Sequence, residues 1–446
     1  MMIGGRGSHS AVKHANQMKT QRSKPTTGAP DPGRPNRGRS VAATSLPASL
    51  LSTAPFVARG QVRGANDRIG VGFIGVGGRG GNHLSIVQGL SNNKQGVQVV
   101  ALCDAYGPRL RAAADRVEGA KTYRSHQELL ADKNVDAVCI ATPDRLHVPQ
   151  ALDAIRAGKD VYCEKPMGHW TQFALSKQFY KETLERKRIV QIGNQVGSSG
   201  AWNRVGEMLR QGVIGRPQLV VAGFYRDGDW GERMPIPDPK AKPGPDLDWE
   251  GFLGDAPKVP FTVDRFFSWR KYLDYAGGPG TDLFPHVFTP FVRALSLKFP
   301  SLVVATGGIF KYTTYDREVP DTFNMALDYP EKISVVLFCT LANEYQTPPC
   351  IRGDDGAITL VTDWGSGVDS VTIHPRQGEP RTIPIGRSNA TLDHWLNFLE
   401  CIRTRAKPNS DVEFGFQVQT ALNMATRSCL EQKAARFDFE KEEILL

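Results

Sequence analysis

The sequence lacks the residue clusters that hold metal ions or build disulfide frameworks. Its seven cysteines are widely scattered without a Cys-x-x-Cys pair, and its nine histidines form no His-x-x-x-His or His-Glu-x-x-His motif. An odd, dispersed set of cysteines argues against a disulfide framework and against structural zinc. We therefore expect no metal site, and we expect the cysteines within apolar runs to pack as small core residues.

The sequence also lacks an excess of charge outside its first residues. The net charge is +9, yet residues 1–66 hold ten basic side chains and one acidic one, which leaves 45 of each sign in the rest. Because the excess lies on one terminal arm, it gives the body no basic surface, and we expect no nucleic-acid partner. The body has ordinary globular composition, since 40% of the chain is hydrophobic and 23% is charged.

No apolar run is long enough to cross a membrane. Residues 1–40 are rich in Gly, Ser, Pro and basic residues, which predicts disorder, and residues 41–58 are uncharged and mostly apolar but contain two prolines. A basic segment before a short apolar one is typical of an export signal. Arg37 and Arg39, split by Gly38, resemble a degenerate twin-arginine motif, but no clean Ala-x-Ala site follows. Export to the periplasm and a cytoplasmic, uncleaved leader both remain open.

The folded chain begins with a pattern that is typical of a nucleotide-binding unit. Residues 69–74 are an apolar run that predicts a buried strand, and Gly75-x-Gly77-x-x-Gly80 leads from it into a helix. Phosphates bind well at the free N–H groups of such a helix. The next apolar run ends at Asp104, 24 residues after Gly80. An acid near this offset binds the adenosine ribose and favours NAD over NADP, although Arg79 and Arg109 lie close by in sequence and weaken that preference. Asp104 can also be an ordinary strand-ending acid.

Strands and helices then alternate, which predicts a doubly wound parallel sheet with its ligand at the carboxyl ends of the strands. The polar or glycine-rich strand ends are residues 75–80, Asp104, Thr142-Pro143-Asp144, Glu164-Lys165-Pro166 and Gly193-Asn194-Gln195. Because the carboxyl ends of parallel strands meet at one edge of the sheet, we expect these segments to form one site.

A second cluster of chemistry-bearing residues lies in the segment GGPGTDLFPH, residues 277–286. Proline is tolerated in a first helical turn, so Pro285 predicts a helix that starts near Thr281. Asp282 and His286 are then four residues apart on one helix face. His286 can act as a general base with a pKa near the working pH, while Asp282 orients it or binds a substrate hydroxyl. Lys165, which follows a buried strand, can polarise a hydroxyl or carbonyl oxygen.

Aromatic residues are concentrated in the long segment before this motif. Eleven of the 39 aromatic residues lie between Phe224 and Tyr275. Such rings offer flat faces to sugars, but each of them also reads as a core or subunit contact. We select Trp269 and Arg270 as substrate contacts, together with Lys165, Asp282 and His286.

The remaining sequence predicts a second domain. Alternating runs after His286 are typical of an antiparallel or mixed sheet, and two helices follow them. We expect a Rossmann domain over residues 67–195 and an α+β domain with an open, largely antiparallel sheet over residues 196–446, whose C-terminal helix packs back on the first domain. The exposed side of that sheet is a natural contact surface for a homodimer or tetramer.

Taken together, GVGGRG, LCD, ATPDRLH and CEKP make residues 67–446 resemble the Gfo/Idh/MocA oxidoreductase family. The resemblance implies an N-terminal Rossmann domain, a C-terminal open-sheet domain and a nicotinamide cofactor. It implies that Lys165 contacts nicotinamide and substrate, and that Asp282 and His286 lie beside the reacting carbon. The cofactor site that we expect comprises Gly75, Gly77, Gly78, Arg79, Gly80, Asp104, Thr142, Pro143, His147, Glu164, Lys165, Asn194 and Gln195.

Three functions follow from this resemblance and these residues. The first is an NAD-dependent oxidoreductase, with NADP less favoured, that acts on a CH–OH group of a sugar, sugar acid or cyclitol. The second is a glycosidase similar to glycoside hydrolase family 109, which holds NAD and cleaves by transient oxidation and elimination. The third is a non-catalytic, NAD-loaded binding protein, against which the intact Glu-Lys-Pro and Asp-x-x-x-His motifs argue.

Overall fold

A computed structural model describes residues 68–228, 234–314, 316–363 and 367–446, which belong to one compact unit. The leader, the twin-arginine-like motif and Trp230 lie outside the described residues.

The first half of the described chain forms a six-stranded sheet in which every strand pair is parallel. The strand order is β3-β2-β1-β4-β5-β6, so the chain winds outward from β1 in both directions. The central strands are apolar throughout because helices cover both faces. This sheet confirms the predicted doubly wound Rossmann architecture. Its strands are β1 (Ile69–Ile74), β2 (Val97–Cys103), β3 (Lys121–Tyr123), β4 (Ala137–Ile140), β5 (Asp160–Glu164) and β6 (Val190–Gly193).

Five helices connect these strands and bring every carboxyl end to the same edge. The first begins at Gly78, directly after the glycine turn, and the fourth begins at Asp144, directly after Thr142-Pro143. Both helices therefore point their N-termini at the edge where the sequence predicts the ligand. The helices are α1 (Gly78–Asn92), α2 (Gly107–Ala114), α3 (His126–Ala131), α4 (Asp144–Arg156) and α5 (Phe173–Glu185).

The second half contains a ten-stranded sheet that is mixed but mostly antiparallel, as predicted. Its order is β14-β13-β12-β11-β7-β10-β9-β8-β15-β16, and the β7–β10 pair is parallel. The strands are β7 (Pro217–Tyr225), β8 (Leu302–Gly308), β9 (Thr322–Tyr329), β10 (Ile333–Thr340), β11 (Cys350–Gly353), β12 (Gly356–Asp363), β13 (Gly367–Pro375), β14 (Arg381–Arg387), β15 (Ala435–Asp438) and β16 (Glu443–Leu445).

The second half also contains seven α-helices among the described residues. Five of them lie between β6 and β8 in the chain: α6 (Gly200–Arg210), α7 (Trp249–Leu253), α8 (Val263–Phe267), α9 (Pro279–Asp282) and α10 (Phe284–Ala294). The last two are α11 (Ala390–Thr404) and α12 (Val412–Glu431), and short 3₁₀ turns lie at Gln195–Ser198 and Trp269–Lys271. Within the described ranges, no helix combines the length and the apolarity that a bilayer crossing requires.

The helix predicted to start near Thr281 is in fact two helices. α9 covers one turn and ends at Asp282, Leu283 intervenes, and α10 carries Pro285 in its first turn. The interpretation of Pro285 is therefore right, but a single helix through both Asp282 and His286 is wrong. The break gives each of these side chains its own direction.

Helix α11 contributes to the core of the first domain although it lies more than 200 residues further along the chain. The indole of Trp395 stacks on Tyr162 of β5 with ring centroids 4.6 Å apart and an interplanar angle of 5°. Phe398 and Leu399 join the same apolar cluster as Phe73 of β1. The first sheet is therefore closed on this side by the C-terminal part of the chain.

Candidate active site

A cleft of about 1160 Å³ lies along the carboxyl edge of the first sheet. It brings together most of the residues predicted from the sequence, which are Gly75, Gly77, Gly78, Arg79, Asp104, Thr142, Pro143, His147, Glu164, Lys165, Gln195, Trp269, Arg270 and His286. Gly80, Asn194 and Asp282 are buried beside the cleft and do not line it.

The glycine turn leaves space for a phosphate group. Gly75 has a positive φ of 83°, and a Cβ at Gly80 would collide with the carbonyl oxygen of Gly75, so both positions need glycine for the tight turn. A Cβ at Gly78 would meet no atom within 4 Å. Gly77 caps α1 without a side-chain hydrogen bond, which leaves N–H groups of the first turn for an anion. The residues present therefore fit the pyrophosphate of a dinucleotide.

Asp104 lies beside this turn at the end of β2. Its carboxylate accepts hydrogen bonds from the backbone N–H groups of Val76 and Tyr106, each at 2.9 Å. Arg109 approaches the same carboxylate, with Nη1 3.3 Å from Oδ1. Asp104 is thus held at the place where an adenosine ribose would follow the pyrophosphate.

Glu164 is the centre of a buried hydrogen-bond network. Its Oε1 accepts from Arg79 Nε at 2.8 Å, from His83 Nε2 at 2.7 Å and from Gln195 Nε2 at 2.6 Å. The backbone N–H of Lys165 donates to Oε2 at 3.0 Å. Burial disfavours the carboxylate, but Arg79 and His83 outweigh it and hold the pKa of Glu164 well below its usual value.

Two members of this network were missed by the sequence analysis. Trp395 Nε1 donates to His83 Nδ1 at 2.8 Å, and indole is a donor only, so Nδ1 must accept. The proton of the neutral imidazole is therefore on Nε2, from which it is donated to Glu164. The sequence did contain a sign of the role of His83, because it lies four residues after Arg79 and therefore on the same face of α1. Nothing in the local sequence points to Trp395, which is 312 residues away.

Lys165 and Asp282 form a buried ion pair at the other end of the cleft. Lys165 Nζ is 2.6 Å from Asp282 Oδ1 and donates a second hydrogen bond to the backbone carbonyl of Asp282 at 2.8 Å. Arg270 Nε donates to Oδ2 at 2.8 Å, and its guanidinium lies 4.2 Å from the ring centroid of Trp269. Burial alone would raise the pKa of Asp282, but Lys165 and Arg270 hold it well below its usual value. Asp282 is therefore a carboxylate that orients two cations.

His286 faces the cleft from the first turn of α10. Its ring stacks against Phe224 with centroids 6.2 Å apart. Burial and the ammonium group of Lys165 lower the pKa of His286 to about 3. The expectation of a pKa near the working pH is therefore wrong for the protein without ligand, because the ring is poorly solvated and lies near a cation. The imidazole is neutral at physiological pH and can accept a proton.

A second cavity of about 560 Å³ adjoins His286 on the side away from the glycine turn. Its walls come from the end of β7, from β12 and from the segment around Pro348, and they include Phe224, Tyr225, Arg226, Gln346, Thr347 and Leu360. His286 lines both cavities, so a ligand beside this imidazole can extend toward the second sheet.

His147 and Gln195 hold the strand ends in place. The two ring nitrogens of His147 lie 2.7 Å from the carbonyl oxygen of Pro166 and 2.8 Å from that of Thr142, which ties the segment after β4 to the segment after β5. Gln195 Nε2 bridges Tyr162 and Glu164. Both residues were predicted as cofactor contacts, and in the structure their side-chain hydrogen bonds go to the protein itself.

The aromatic segment covers the cleft. Its rings form one buried cluster with Tyr106, and the members are Trp249, Phe252, Phe266, Phe267, Trp269, Tyr272 and Tyr275. Polar contacts fasten it to the first domain, among them Arg145 to Asp255 at 2.9 Å and Trp170 Nε1 to the carbonyl oxygen of Leu273 at 3.1 Å. Phe252, Phe266, Phe267 and Trp269 also line the cleft. Most of these rings therefore pack in the core, which is the alternative to sugar stacking that the sequence left open.

Comparison with known proteins supports this description. Residues 69–194 match the GFO/IDH/MocA family, described as an oxidoreductase family with an NAD-binding Rossmann fold. The chain is 34% identical over 155 residues to inositol 2-dehydrogenase of Salmonella typhimurium, which is 34% of this chain and 45% of that protein. It is 32% identical over 168 residues to inositol 2-dehydrogenase of Rubrobacter xylanophilus, with 38% and 47% covered. The alignments thus span about half the length of these relatives.

Solved structures extend the similarity in fold to the second domain. The aldose-aldose oxidoreductase from Caulobacter crescentus gives a TM-score of 0.63 at 18% identity and covers 83% of this chain and 100% of its own. The WlbA dehydrogenase from Bordetella pertussis, in complex with NADH and UDP-GlcNAcA, gives 0.64 at 20% identity, with 83% and 99% covered. The resemblance seen in the sequence is thus confirmed over the Rossmann domain, where residues 69–194 match the Gfo/Idh/MocA family of NAD-binding oxidoreductases, and the second domain is similar to the solved structures in fold.

Proposed function

We propose that the protein is an NAD-dependent oxidoreductase that acts on a CH–OH group of a sugar or cyclitol. The observation that carries the proposal is the convergence of Lys165 and His286 on the cleft that begins at the glycine turn. A cation and a neutral base beside a nicotinamide site are the two groups that alcohol oxidation needs. The cyclitol class is supported by the inositol 2-dehydrogenases that the Rossmann domain resembles.

The bound nicotinamide would supply the hydride acceptor for the carbinol carbon. The neutral imidazole of His286 takes the proton of the hydroxyl group as the C–H bond breaks. The ammonium group of Lys165 stabilises the negative charge that develops on the oxygen. Because both oxygens of Asp282 are engaged by Lys165 and Arg270, Asp282 orients the ammonium group rather than the alcohol.

We propose NAD rather than NADP as the cofactor. The supporting observation is the carboxylate of Asp104 beside the glycine turn, where it can accept hydrogen bonds from ribose hydroxyls and repels an added phosphate. Arg109 contacts the same carboxylate, so part of its positive charge is already neutralised.

The test is a screen of myo-inositol, aldoses and sugar acids with NAD, in which NADH formation is followed by absorbance. We expect turnover with at least one neutral polyol or sugar. A Lys165→Ala protein should retain NAD binding and lose about 100- to 1000-fold in kcat, because the oxygen loses its charged partner. Full turnover by Lys165→Ala, or no NADH from any compound in the screen, would refute the proposal.

The covered cleft favours a second candidate function, an NAD-dependent glycosidase that regenerates its cofactor in every cycle. A cofactor beneath the aromatic segment would exchange slowly, because Arg145 and Trp170 fasten that segment to the first domain. The discriminating assay uses p-nitrophenyl glycosides without added NAD. Release of nitrophenol without net NADH supports the glycosidase, and nucleotide freed by denaturing the purified protein shows whether NAD is retained.

We also propose that the exposed face of the second sheet mediates homo-oligomer formation. Val304, Ala326, Val336 and Val221 are successive cross-strand neighbours on this face, and Phe338 lies exposed nearby. Val304 and Ala326 are exposed and Val336 and Val221 are half-buried, and an apolar row that reaches the surface in this way is typical of a contact surface. Light scattering at micromolar concentration should show a dimer or tetramer, and a monomer would contradict the proposal.

A further inference from the structure

Asp144 is a buried acidic residue of the cleft to which the proposed chemistry gives no role. It is the first residue of α4, directly after Thr142-Pro143 at the end of β4. The residue is only 2% exposed, yet it lines the cleft together with Lys165, Arg270 and His286. The sequence places it at the ligand edge but gives no further sign of its environment.

One oxygen of this carboxyl group lacks a hydrogen-bond partner. Asp144 Oδ2 is fully buried and makes no hydrogen bond within the part of the chain that the structure describes. Buried side-chain atoms without a hydrogen-bond partner also occur at Ser176 and Thr289 among the described residues, but these two residues do not line the cleft. Leaving a buried polar atom unpaired is costly, so an atom of this kind at the wall of a cleft indicates a bound group that completes it.

The surrounding charges determine which form of the carboxyl group is present. Asp282 on α9 opposes ionisation, whereas Arg270 on the 3₁₀ turn and Lys165 after β5 favour it, and Cys163 of β5 lies nearby. The two cations are already engaged by Asp282 at 2.8 and 2.6 Å. Burial and the negative charge of Asp282 therefore raise the pKa of Asp144 well above its usual value.

The site thus contains two carboxyl groups whose pKa values are shifted in opposite directions. The lowered pKa of Asp282 keeps it a carboxylate that accepts hydrogen bonds from cations, whereas the raised pKa of Asp144 favours its neutral acid form, which has an O–H group to donate. Pairs of acids whose environments separate their protonation states are a recurring arrangement in active sites. A neutral acid can donate to an uncharged oxygen, and it offers no counter-charge to a cationic ligand.

We propose that Asp144 is a substrate-binding, specificity-determining residue whose carboxylic acid donates a hydrogen bond to an uncharged hydroxyl or carbonyl oxygen of the substrate beside Lys165. The proposal rests on the proposed oxidoreductase function and adds a third polar contact to Lys165 and His286. It predicts that the site prefers a neutral polyol or sugar, because a carboxylate group of the substrate at this position would be repelled by the negative charge of Asp282.

The first test asks directly whether Asp144 is protonated, and it needs no substrate. An infrared difference spectrum of wild type minus Asp144→Asn should contain the carbonyl band of a protonated carboxylic acid at neutral pH. That band should disappear as the pH rises, because Asp144 then ionises. A difference spectrum that shows only a carboxylate at neutral pH would overturn the proposal.

The second test measures binding of myo-inositol to the NADH-loaded protein by calorimetry, since this combination of alcohol and reduced cofactor cannot turn over. Asp144→Ala should bind myo-inositol about 10- to 100-fold more weakly, and Asp144→Asn, which keeps a neutral donor, should stay within about 3-fold of wild type. Asp393→Asn, which alters a first-turn aspartate of α11 that does not line the cleft, is the matched control and should bind as wild type does.

The outcomes separate the possible partners of Asp144. Unchanged binding of myo-inositol by Asp144→Ala would overturn the proposal, as would a loss of NADH affinity alone, because the partner would then be the cofactor. If wild type binds no polyol, the proposed substrate class fails, and the infrared band still decides the state of Asp144.

Discussion

Removing the carboxylate of Asp282 should leave two cations without their anionic partner in a poorly solvated site. In Asp282→Ala, Lys165 loses a partner at 2.6 Å and Arg270 loses one at 2.8 Å, and their side chains are only 12% and 26% exposed. Breaking a buried ion pair by removing one partner costs about 3–5 kcal/mol of unfolding free energy. We expect a value near the lower limit, because Asp144 is no longer opposed by Asp282 and can ionise beside the same cations.

A double-mutant cycle with Asp144 tests this reasoning quantitatively. In an Asp144→Asn background no second carboxylate is available, so Asp282→Ala should cost about 1–2 kcal/mol more than in wild type. The assay is urea unfolding at neutral pH, analysed from the midpoints and slopes. Asp246→Ala, which breaks the solvent-exposed pair with Arg111, is the control and should leave the midpoint unchanged.

The pH dependence of the same cycle has a defined sign. The pKa of Asp282 is depressed in the folded protein, so its stabilisation is fully present above the unfolded value of about 3.9 and is lost as the pH falls further. The cost of Asp282→Ala should therefore shrink below about pH 4. A cost under about 1 kcal/mol at neutral pH in both backgrounds would refute the buried-pair description. Strict additivity of the two substitutions would refute the electrostatic link between the two acids.

Three further predictions follow from the site. Burial and Lys165 lower the pKa of His286 to about 3 in the free protein, so the pH profile of kcat/KM should show no acidic limb near the usual imidazole value of 6.5. An acidic limb near that value would show that burial and Lys165 do not lower the pKa of this imidazole. Trp395→Phe keeps an aromatic ring but removes the donor to His83 and part of the ring that stacks on Tyr162, so it should cost about 1–3 kcal/mol of unfolding free energy in urea and weaken NAD binding in a fluorescence titration. An unchanged NAD affinity would show that this hydrogen bond does not support the cofactor site. Asp104→Ser removes the carboxylate that repels the added phosphate of NADP, so it should lower the ratio of the NADP to the NAD dissociation constant by about 10-fold or more. An unchanged ratio would show that Asp104 only ends the strand and does not select the cofactor.

The ligand edge was predictable because its geometry follows from local sequence. Each apolar run that forms a parallel strand ends in a polar or glycine-rich segment, and the topology then brings Asp104, Thr142 and Lys165 to one edge. The glycine pattern likewise encodes a steric requirement, since a Cβ at Gly80 has no room. To predict such features, one needs only the spacing of apolar residues along the chain and the volume of a side chain.

Other parts of the site depend on contacts between distant segments, which local patterns do not encode. The direction of Lys165 is set by Asp282, 117 residues away, and the tautomer of His83 is set by Trp395. The protonation of His286 depends on burial and on a neighbouring cation, so its residue type alone suggested a pKa that the structure does not support. The break at Leu283 is similar, because it depends on how α9 and α10 pack rather than on Pro285 alone.

The stacking of Trp395 on Tyr162 has a consequence for the order in which the chain folds during synthesis. While only the Rossmann sequence has left the ribosome, Tyr162 and Phe73 lack the rings that cover them, because α11 has not yet been translated. The nascent domain therefore exposes an apolar surface over the time in which about 200 further residues are added, at ribosomal rates of about 5–20 residues per second. We expect an isolated fragment ending at Ser199 to aggregate, and we expect the growing chain to be a substrate for chaperones until α11 docks.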